Sequence, residues 1–206
     1  MRKRLSAIFC VIVWFALIVQ FILMLQNRVT DIPETVIRYF GFFTILTNIL
    51  VAVYFTAAVF GISFTNKPGM LTAITVYIFM VGTVYQVLLR HLWRPAGMQF
   101  VADELLHTII PLLVIVYWIL YEQKSLVRYG QVKAWLIYPL GYLAYTLIRG
   151  EFSGFYSYPF IDVSKIGLKL ALRNSSMLAL IFVLIALLFI LVGKKSAAQK
   201  AGHGSK

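Results

Sequence analysis

Cysteine and charged residues are scarce in this chain. A single cysteine, Cys10, excludes an internal disulfide framework and a cysteine metal site. Charged residues make up 13% of the 206 positions and hydrophobic residues 61%, whereas soluble domains are about 25% charged and roughly 45–50% apolar. The mean hydropathy is +0.87. This composition predicts an integral membrane protein.

Acidic residues are also few, with 7 Asp plus Glu against 19 Lys plus Arg and a net charge of +12. In a soluble chain this excess would suggest nucleic-acid binding, but the sequence has no soluble domain to present a basic face. We therefore expect no nucleic-acid partner, and basic loops and tails that face anionic lipid headgroups. No metal site and no cofactor are expected.

Six stretches are long enough to cross a bilayer, whose core of about 30 Å requires roughly 20 apolar residues per helix. The sequence predicts an all-α, polytopic membrane bundle of six transmembrane helices in one domain, 1–193, followed by a polar cytoplasmic tail, 194–206. Glycine and proline among the aromatic residues of 150–169 argue against a regular helix there. The predicted helices lie at about 5–26, 36–61, 69–90, 101–121, 132–149 and 170–193.

The positive-inside rule gives an orientation for these six helices. With the N-terminus in the cytoplasm, eleven basic residues lie inside and eight outside. We therefore expect a multi-pass protein of the cell membrane with both termini cytoplasmic.

Polar side chains recur near the predicted outer ends of four helices. Thr44 lies in FFTILTN (42–48) and His107 in DELLHTIIP (103–111), and the helical rise puts them roughly 12 Å and 9 Å below the outer ends. Because polar groups are costly in lipid, this layer predicts a polar cavity open toward the outer leaflet. The alternative is that these groups only join helices through hydrogen bonds. The other members of the layer are Thr47, Asn48, Arg149 and Asn174.

His107 has two acidic residues one helical turn before it. Asp103 and Glu104 stand at i−4 and i−3, so either carboxylate can hold one ring nitrogen and leave the other as a base. Pro111 removes the helical donor for the His107 carbonyl, so a kink is expected there. The alternative is a histidine that is simply satisfied within the bundle.

Thr44 is the candidate nucleophile, which requires a base and donors for the oxyanion. His107 is the candidate base, and Thr47 is the next candidate nucleophile. The alternative for Thr44 is a structural bond to the carbonyl one turn earlier. The candidate oxyanion or substrate-binding donors are Asn48, Arg149 and Asn174.

Four segments resemble the bacterial branch of the androgen-induced-protein-like membrane family, which is described as having six helices. The animal members are multipass hydrolases that cleave fatty acid esters of hydroxy fatty acids with an intramembrane threonine and histidine. The family's FFT motif and its H-T-x-x-x-P-like stretch correspond here to Thr44 and to His107, Thr108 and Pro111, so the resemblance implies those roles for Thr44 and for His107. The animal proteins carry an acidic residue near TILTN and one more residue before the proline. The segments are RYFGFFTILTNILVA (38–52), ELLHTIIPLLV (104–114), WLIYPLGYLAYTLIRG (135–150) and YSYPFIDV (156–163).

Together these observations predict a lipid-ester hydrolase that acts on membrane lipids or acyl esters in the outer-half cavity. The aromatic loop 152–160 is either a lid or an aromatic belt at the headgroups. The alternative from another class is a non-enzymatic lipid-binding or transport protein with an anionic headgroup on Arg149, Lys165, Lys169 and Arg173. Haem ligation by His91 and His107 has poor geometry, because the two residues differ in depth.

Overall fold

The computed structural model describes residues 1–203, and side chains through residue 199. Helices and turns, without a β-strand, make up this described part. The α-helices are α1 Arg2–Gln26, α2 Ile32–Phe40, α3 Phe43–Phe60, α4 Met70–Val84, α5 Gly97–Glu104, α6 Ile110–Tyr121, α7 Val132–Trp135, α8 Ile137–Ser153, α9 Val163–Ile166 and α10 Leu168–His203.

Five helical stretches of the described chain are long and apolar enough to span a membrane. Five of the six predicted spans correspond to them, so the all-α class is confirmed, and a multi-pass membrane protein is compatible with these five stretches. The five stretches are Arg2–Gln26, Phe43–Phe60, Met70–Leu92, Gly97–Tyr121 and Leu168–Gln199.

The chain divides into two compact units. The first is Met1–Gln123, with α1 to α6, and the second begins at Lys124 and contains α7 to α10. The core of the first unit is an aromatic cluster between α1, α3 and α6. Phe55 and Tyr117 meet edge to face with ring centroids 5.0 Å apart, and Phe9 packs against both. Edge-to-face pairs of this kind add to the stabilisation from burial itself.

The predicted second helix, 36–61, is in fact two helices. α2 ends at Phe40, the N–H of the following Gly41 donates to the Arg38 carbonyl at 3.0 Å, and Phe42 is extended before α3 begins. Glycine favours this break because it is a poor helix former. Tyr39 fixes α2 to α1 by donating its hydroxyl to the Leu17 carbonyl at 2.8 Å, and burial raises the pKa of Tyr39 to about 12.

The predicted fifth helix, 132–149, is interrupted at Leu136. Pro139 has no N–H to donate to the carbonyl of Trp135, and its ring crowds that carbonyl, so the α-helical pattern breaks there. Hydrogen bonds continue on both sides, from Leu136 N to Val132 O and from Leu140 N to Leu136 O. The longer piece, α8, has 17 residues and is not among the five stretches above.

The predicted third and fourth helices each contain a π-helical turn, at Tyr85–Leu89 and Leu105–Ile109. The second turn lies just before Pro111, where a kink was expected. A π-turn is a recognised way for a helix to absorb such an irregularity, and it is frequent at functional sites. The two stretches meet closely at Gly82, where an added Cβ would lie 3.1 Å from the His107 carbonyl oxygen.

The second unit differs from expectation mainly at its end. The predicted polar tail begins at residue 194, but α10 continues as a helix through His203. Lys, Ala and Gln are good helix formers, so the polar residues prolong the helix beyond the apolar stretch. Residues 204–206 of the predicted tail lie outside the described chain. The loop after α8 is irregular, as expected, with left-handed glycines at 154 and 167.

Candidate functional site

The π-turn of the fourth predicted helix brings the ring of His107 back against Asp103. The His107 Nδ1 atom lies 2.9 Å from the main-chain oxygen of Asp103 and 3.4 Å from its carboxylate Oδ1. A carbonyl oxygen only accepts hydrogen bonds, so Nδ1 is the nitrogen that carries the proton. In the neutral ring, Nε2 is therefore the basic nitrogen. The prediction that Asp103 orients His107 agrees with this geometry.

Tyr85 completes this group and was not identified from the sequence. Its ring stacks on His107, with centroids 4.1 Å apart and planes inclined by 17°. Its hydroxyl donates to Oδ2 of Asp103. All three side chains lie in the first unit, and the Asp103 residue is 6% exposed. We call Tyr85, Asp103 and His107 the histidine cluster.

Glu104 does not share the role of Asp103. Its carboxylate pairs with Arg90, whose Nη2 lies 2.5 Å from Glu104 Oε1. The other guanidinium nitrogen of Arg90 donates to Gln86 at 2.8 Å, and Gln86 donates to the Thr108 hydroxyl at 2.8 Å. Of the two carboxylates expected to hold a ring nitrogen of His107, the structure has Asp103 in contact with the ring and Glu104 paired with Arg90. Glu104 differs because it lies on the face of α5 toward Arg90.

Asn48 joins the helix of Thr44 to the helix of His107. Its amide nitrogen donates to the Thr44 carbonyl at 2.8 Å and to the Leu106 carbonyl at 3.4 Å. The predicted second and fourth helices thus meet at the depth of the candidate site, which spacing alone did not establish. Thr44 and Thr47, in the first two turns of α3, are both buried.

The Asn48 amide nitrogen already uses its hydrogen bonds to connect two helices. Both hydrogens of its amide point to main-chain carbonyls, while its Oδ1 is buried and has no hydrogen-bond partner within the described residues. Donation to an oxyanion would require the amide to leave one carbonyl. The hydrogen bond of the His107 ring to the Asp103 carbonyl uses Nδ1, on the opposite side of the ring from Nε2.

Arg149 and Asn174, the other candidate donors, belong to the second unit. The Arg149 guanidinium carbon lies 5.3 Å from the centroid of the Phe155 ring, and the Asn174 amide donates to the Phe160 carbonyl at 3.0 Å. Both residues therefore contact the aromatic loop 152–160. The rings of Tyr158 and Phe160 are stacked within that loop.

A second polar network lies at the opposite end of the first unit. Arg2 donates to the hydroxyl of Tyr117 at 3.3 Å and to Asn66 at 3.1 Å, and the hydroxyls of Ser6 and Tyr117 are 2.8 Å apart. Glu122 accepts from the backbone N–H and the hydroxyl of Thr72, each at 2.8 Å. A carboxylate here stabilises the start of α4. These contacts join residues that are far apart in sequence.

His91 lies exposed on a turn after α4. Across the part of the chain that the structure describes, no group of three or more His, Cys, Asp or Glu residues is arranged to hold a metal ion.

The described chain is thus a helical protein with five helices long and apolar enough to span a membrane, and with a His107 side chain packed against the buried residues Tyr85 and Asp103. No family model, curated protein or solved structure matches the chain. Membership in the androgen-induced-protein-like family therefore stays a prediction from the sequence motifs.

Proposed function

We propose that the chain is an integral membrane lipid-ester hydrolase, with Thr44 as nucleophile and His107 as general base. The observation that carries this proposal is the contact of His107 Nδ1 with Asp103, at 2.9 Å to the main-chain oxygen and 3.4 Å to the carboxylate. A base held through one ring nitrogen has the other nitrogen available for the nucleophile. The link through Asn48 supports it, since it connects the helix of Thr44 with Leu106, the neighbour of His107. The resemblance to the androgen-induced-protein-like family agrees with it.

The proposed reaction has two steps. In the first, His107 Nε2 takes the hydroxyl proton of Thr44, the threonine oxygen bonds to the ester carbonyl carbon, and the alcohol leaves with the proton from His107. In the second, His107 takes a proton from water, the hydroxide oxygen bonds to the acyl carbon, and the fatty acid leaves as Thr44 recovers its proton. Catalytic hydrogen bonds often tighten only when substrate is bound, so a direct bond between Thr44 and His107 is expected in the complex.

The proposed substrate is a fatty-acyl ester held with its carbonyl near the outer membrane interface. An apolar environment suits a long acyl chain, and the interface supplies the water for the second step. The roles predicted from the sequence for Arg149, Asn174 and the aromatic loop 152–160, as substrate-binding residues and as a lid, concern the second unit and stay predictions. Both termini are proposed to be cytoplasmic. In this topology α7 and α8 together form the fifth of six crossings, because residues 132–153 extend about 33 Å as a helix.

A lipid-binding or transport protein without catalysis is the second candidate. It is favoured by the basic residues near the start of α10, among which Lys165 has a side chain that is 75% exposed. Exposed cations of this kind attract anionic headgroups.

Purified protein in detergent distinguishes the two candidates. We expect hydrolysis of a long-chain fatty acid ester by the wild type, and a loss of at least about 100-fold in kcat for Thr44→Ala and for His107→Ala. Binding of a fluorescent lipid, measured in parallel, should persist in both variants. Ser176→Ala is the control, because Ser176 is exposed and its hydroxyl donates only to the Leu172 carbonyl of its own helix. Equal turnover in all four proteins would contradict the hydrolase and favour lipid binding alone.

A further inference from the structure

The histidine cluster contains one residue that the proposed reaction has not used. Tyr85 follows α4, whereas Asp103 and His107 belong to the stretch from α5 to α6. The tyrosine contacts both members of the pair through different parts of its side chain. Its ring covers the imidazole and its hydroxyl reaches the carboxylate.

The stacked ring restricts how the imidazole can turn. With a centroid separation of 4.1 Å and a tilt of 17°, the two rings are in face-to-face contact. Rotation of His107 about its Cβ–Cγ bond would move the imidazole edge into the phenol ring. The stack therefore holds the ring plane in which Nδ1 points to Asp103, and with it the direction of Nε2.

The hydroxyl fixes the other partner. Asp103 has one carboxylate oxygen bonded by Tyr85 and the other 3.4 Å from His107 Nδ1. A carboxylate held at one oxygen cannot rotate freely away from the imidazole. Residues that orient a functional histidine in this way change activity by about 10-fold to 100-fold when they are replaced, as known for metal sites.

We propose that Tyr85 is a positioning residue that holds both the ring plane of His107 and the carboxylate of Asp103. This inference rests on the proposed function for its effect on turnover, but the orientation of His107 can be measured without any substrate. The π-turn Tyr85–Leu89 is the local feature that presents Tyr85 to the cluster. An irregular turn at this point is consistent with a functional use of the residue.

The test combines two variants of Tyr85 with one matched control. Tyr85→Phe keeps the stacked ring and removes the hydroxyl, and Tyr85→Leu removes both. Tyr54→Phe is the control, because Tyr54 is also buried in the first unit and donates at 3.3 Å to the Thr65 carbonyl, at the other end of α3 from Thr44. Nitrogen-15 NMR of histidine-labelled protein reports the tautomer of His107, whose signals are assigned among the three histidines with His107→Gln.

We expect wild type and Tyr54→Phe to show His107 with the proton on Nδ1. In Tyr85→Leu, the His107 nitrogen shifts should be averaged between the two tautomers, because the ring no longer prefers the proton on Nδ1. In Tyr85→Phe, the shifts should lie between those of the wild type and those of Tyr85→Leu. In ester turnover, kcat should fall about tenfold in Tyr85→Phe and about 100-fold in Tyr85→Leu. KM should stay unchanged, because Tyr85 does not bind the substrate.

Unchanged His107 shifts in a folded Tyr85→Leu protein would overturn the positioning role, and the same result in Tyr85→Phe would overturn the part assigned to the hydroxyl. If Tyr85→Leu does not fold, the Tyr85→Phe spectrum alone decides. If the wild type hydrolyses no ester but the tautomer shifts as expected, the positioning role stands and the hydrolase fails. If His107→Ala abolishes turnover while both Tyr85 variants keep the wild-type kcat and spectrum, the hydrolase stands and the role of Tyr85 is wrong.

Discussion

At the scale of single residues, the sequence identifies partners within one helix and misses partners across helices. Asp103 was predicted to orient His107 because residues four apart share a helical face, and the structure has these two in contact. Tyr85 is 18 positions before Asp103. No periodicity relates it to His107, so only the packing of the two helical stretches reveals it.

Asp162 gives a residue-level prediction outside the membrane spans. Burial raises the pKa of Asp162, but the Ser164 hydroxyl at 2.5 Å and the Lys165 ammonium at 3.2 Å outweigh it and hold the pKa below its usual range. A lowered folded-state pKa stabilises the protein above the unfolded value of about 3.9, and this stabilisation is lost as the pH falls through the folded value. Because the pair is partly solvated, we expect less than about 1 kcal/mol.

The measurement is the free energy of unfolding of wild type and Asp162→Asn in detergent at pH 7 and pH 3. The wild type should be the more stable protein at pH 7, and the difference should shrink at pH 3. Lys165→Met serves as a control. Without the Lys165 ammonium, the stability that wild type has over Asp162→Asn at pH 7 should become smaller. A difference between wild type and Asp162→Asn that grows on acidification would contradict this account of the carboxylate.

At the scale of helices, hydropathy located the spans but not their interruptions. A window of about 20 residues averages over a single glycine or proline, so the breaks at Gly41 and Leu136 did not appear in the predicted helices. Pro111 did signal an irregularity, and the structure has a π-turn just before it. The matching π-turn at Tyr85–Leu89 has no proline and no comparable sequence signal. It is observed where the two helical stretches pack against each other.

The contact between these stretches predicts a difference between two glycines. In Gly82→Ala, the new Cβ would lie 3.1 Å from the His107 carbonyl oxygen and 3.4 Å from Pro111 Cβ, so the neighbouring backbone at His107 must give by a few tenths of an ångström. We expect a loss of about 1–3 kcal/mol in the free energy of unfolding, typical of overpacking. Ester turnover should fall as well, because the shift moves His107.

Gly141→Ala is the control for this prediction. Gly141 is also helical, but a Cβ there would meet nothing within 4 Å. Alanine should therefore leave stability unchanged or raise it by about 0.5–1 kcal/mol. Thermal unfolding of both variants in the same detergent measures the difference. Equal stability of Gly82→Ala and Gly141→Ala would show that the close approach at Gly82 is not required.

At the scale of the whole molecule, the segment that decides the proposed topology is residues 132–153. Five stretches satisfy the length and hydropathy of a span, whereas α8 is 17 residues long and follows a break. The proposed six-helix topology requires α7 and α8 to cross together. Ser125 precedes this region and Lys165 follows it, and both residues are exposed. If the region crosses the bilayer, the two residues lie on opposite sides of it.

Single cysteines test this topology in a Cys10→Ser background in intact cells. Lys165→Cys should react with a membrane-impermeant maleimide from outside, and Ser125→Cys should react only after the cells are opened. Reaction of both from outside, or of neither, would show that residues 132–153 do not cross. The reverse pattern would place both termini outside, and with them the opposite orientation of the candidate site.

The most direct test of the account is the site of covalent labelling by a long-chain fluorophosphonate. The reagent should attach to the Thr44 oxygen of the wild-type protein, as found by peptide mass spectrometry, and His107→Ala should abolish the label because the hydroxyl then loses its base. Thr44→Ala should remain unlabelled. Labelling of Thr47 in that variant would move the nucleophile by one turn, and a wild-type protein without any label at Thr44 would contradict the proposed hydrolase.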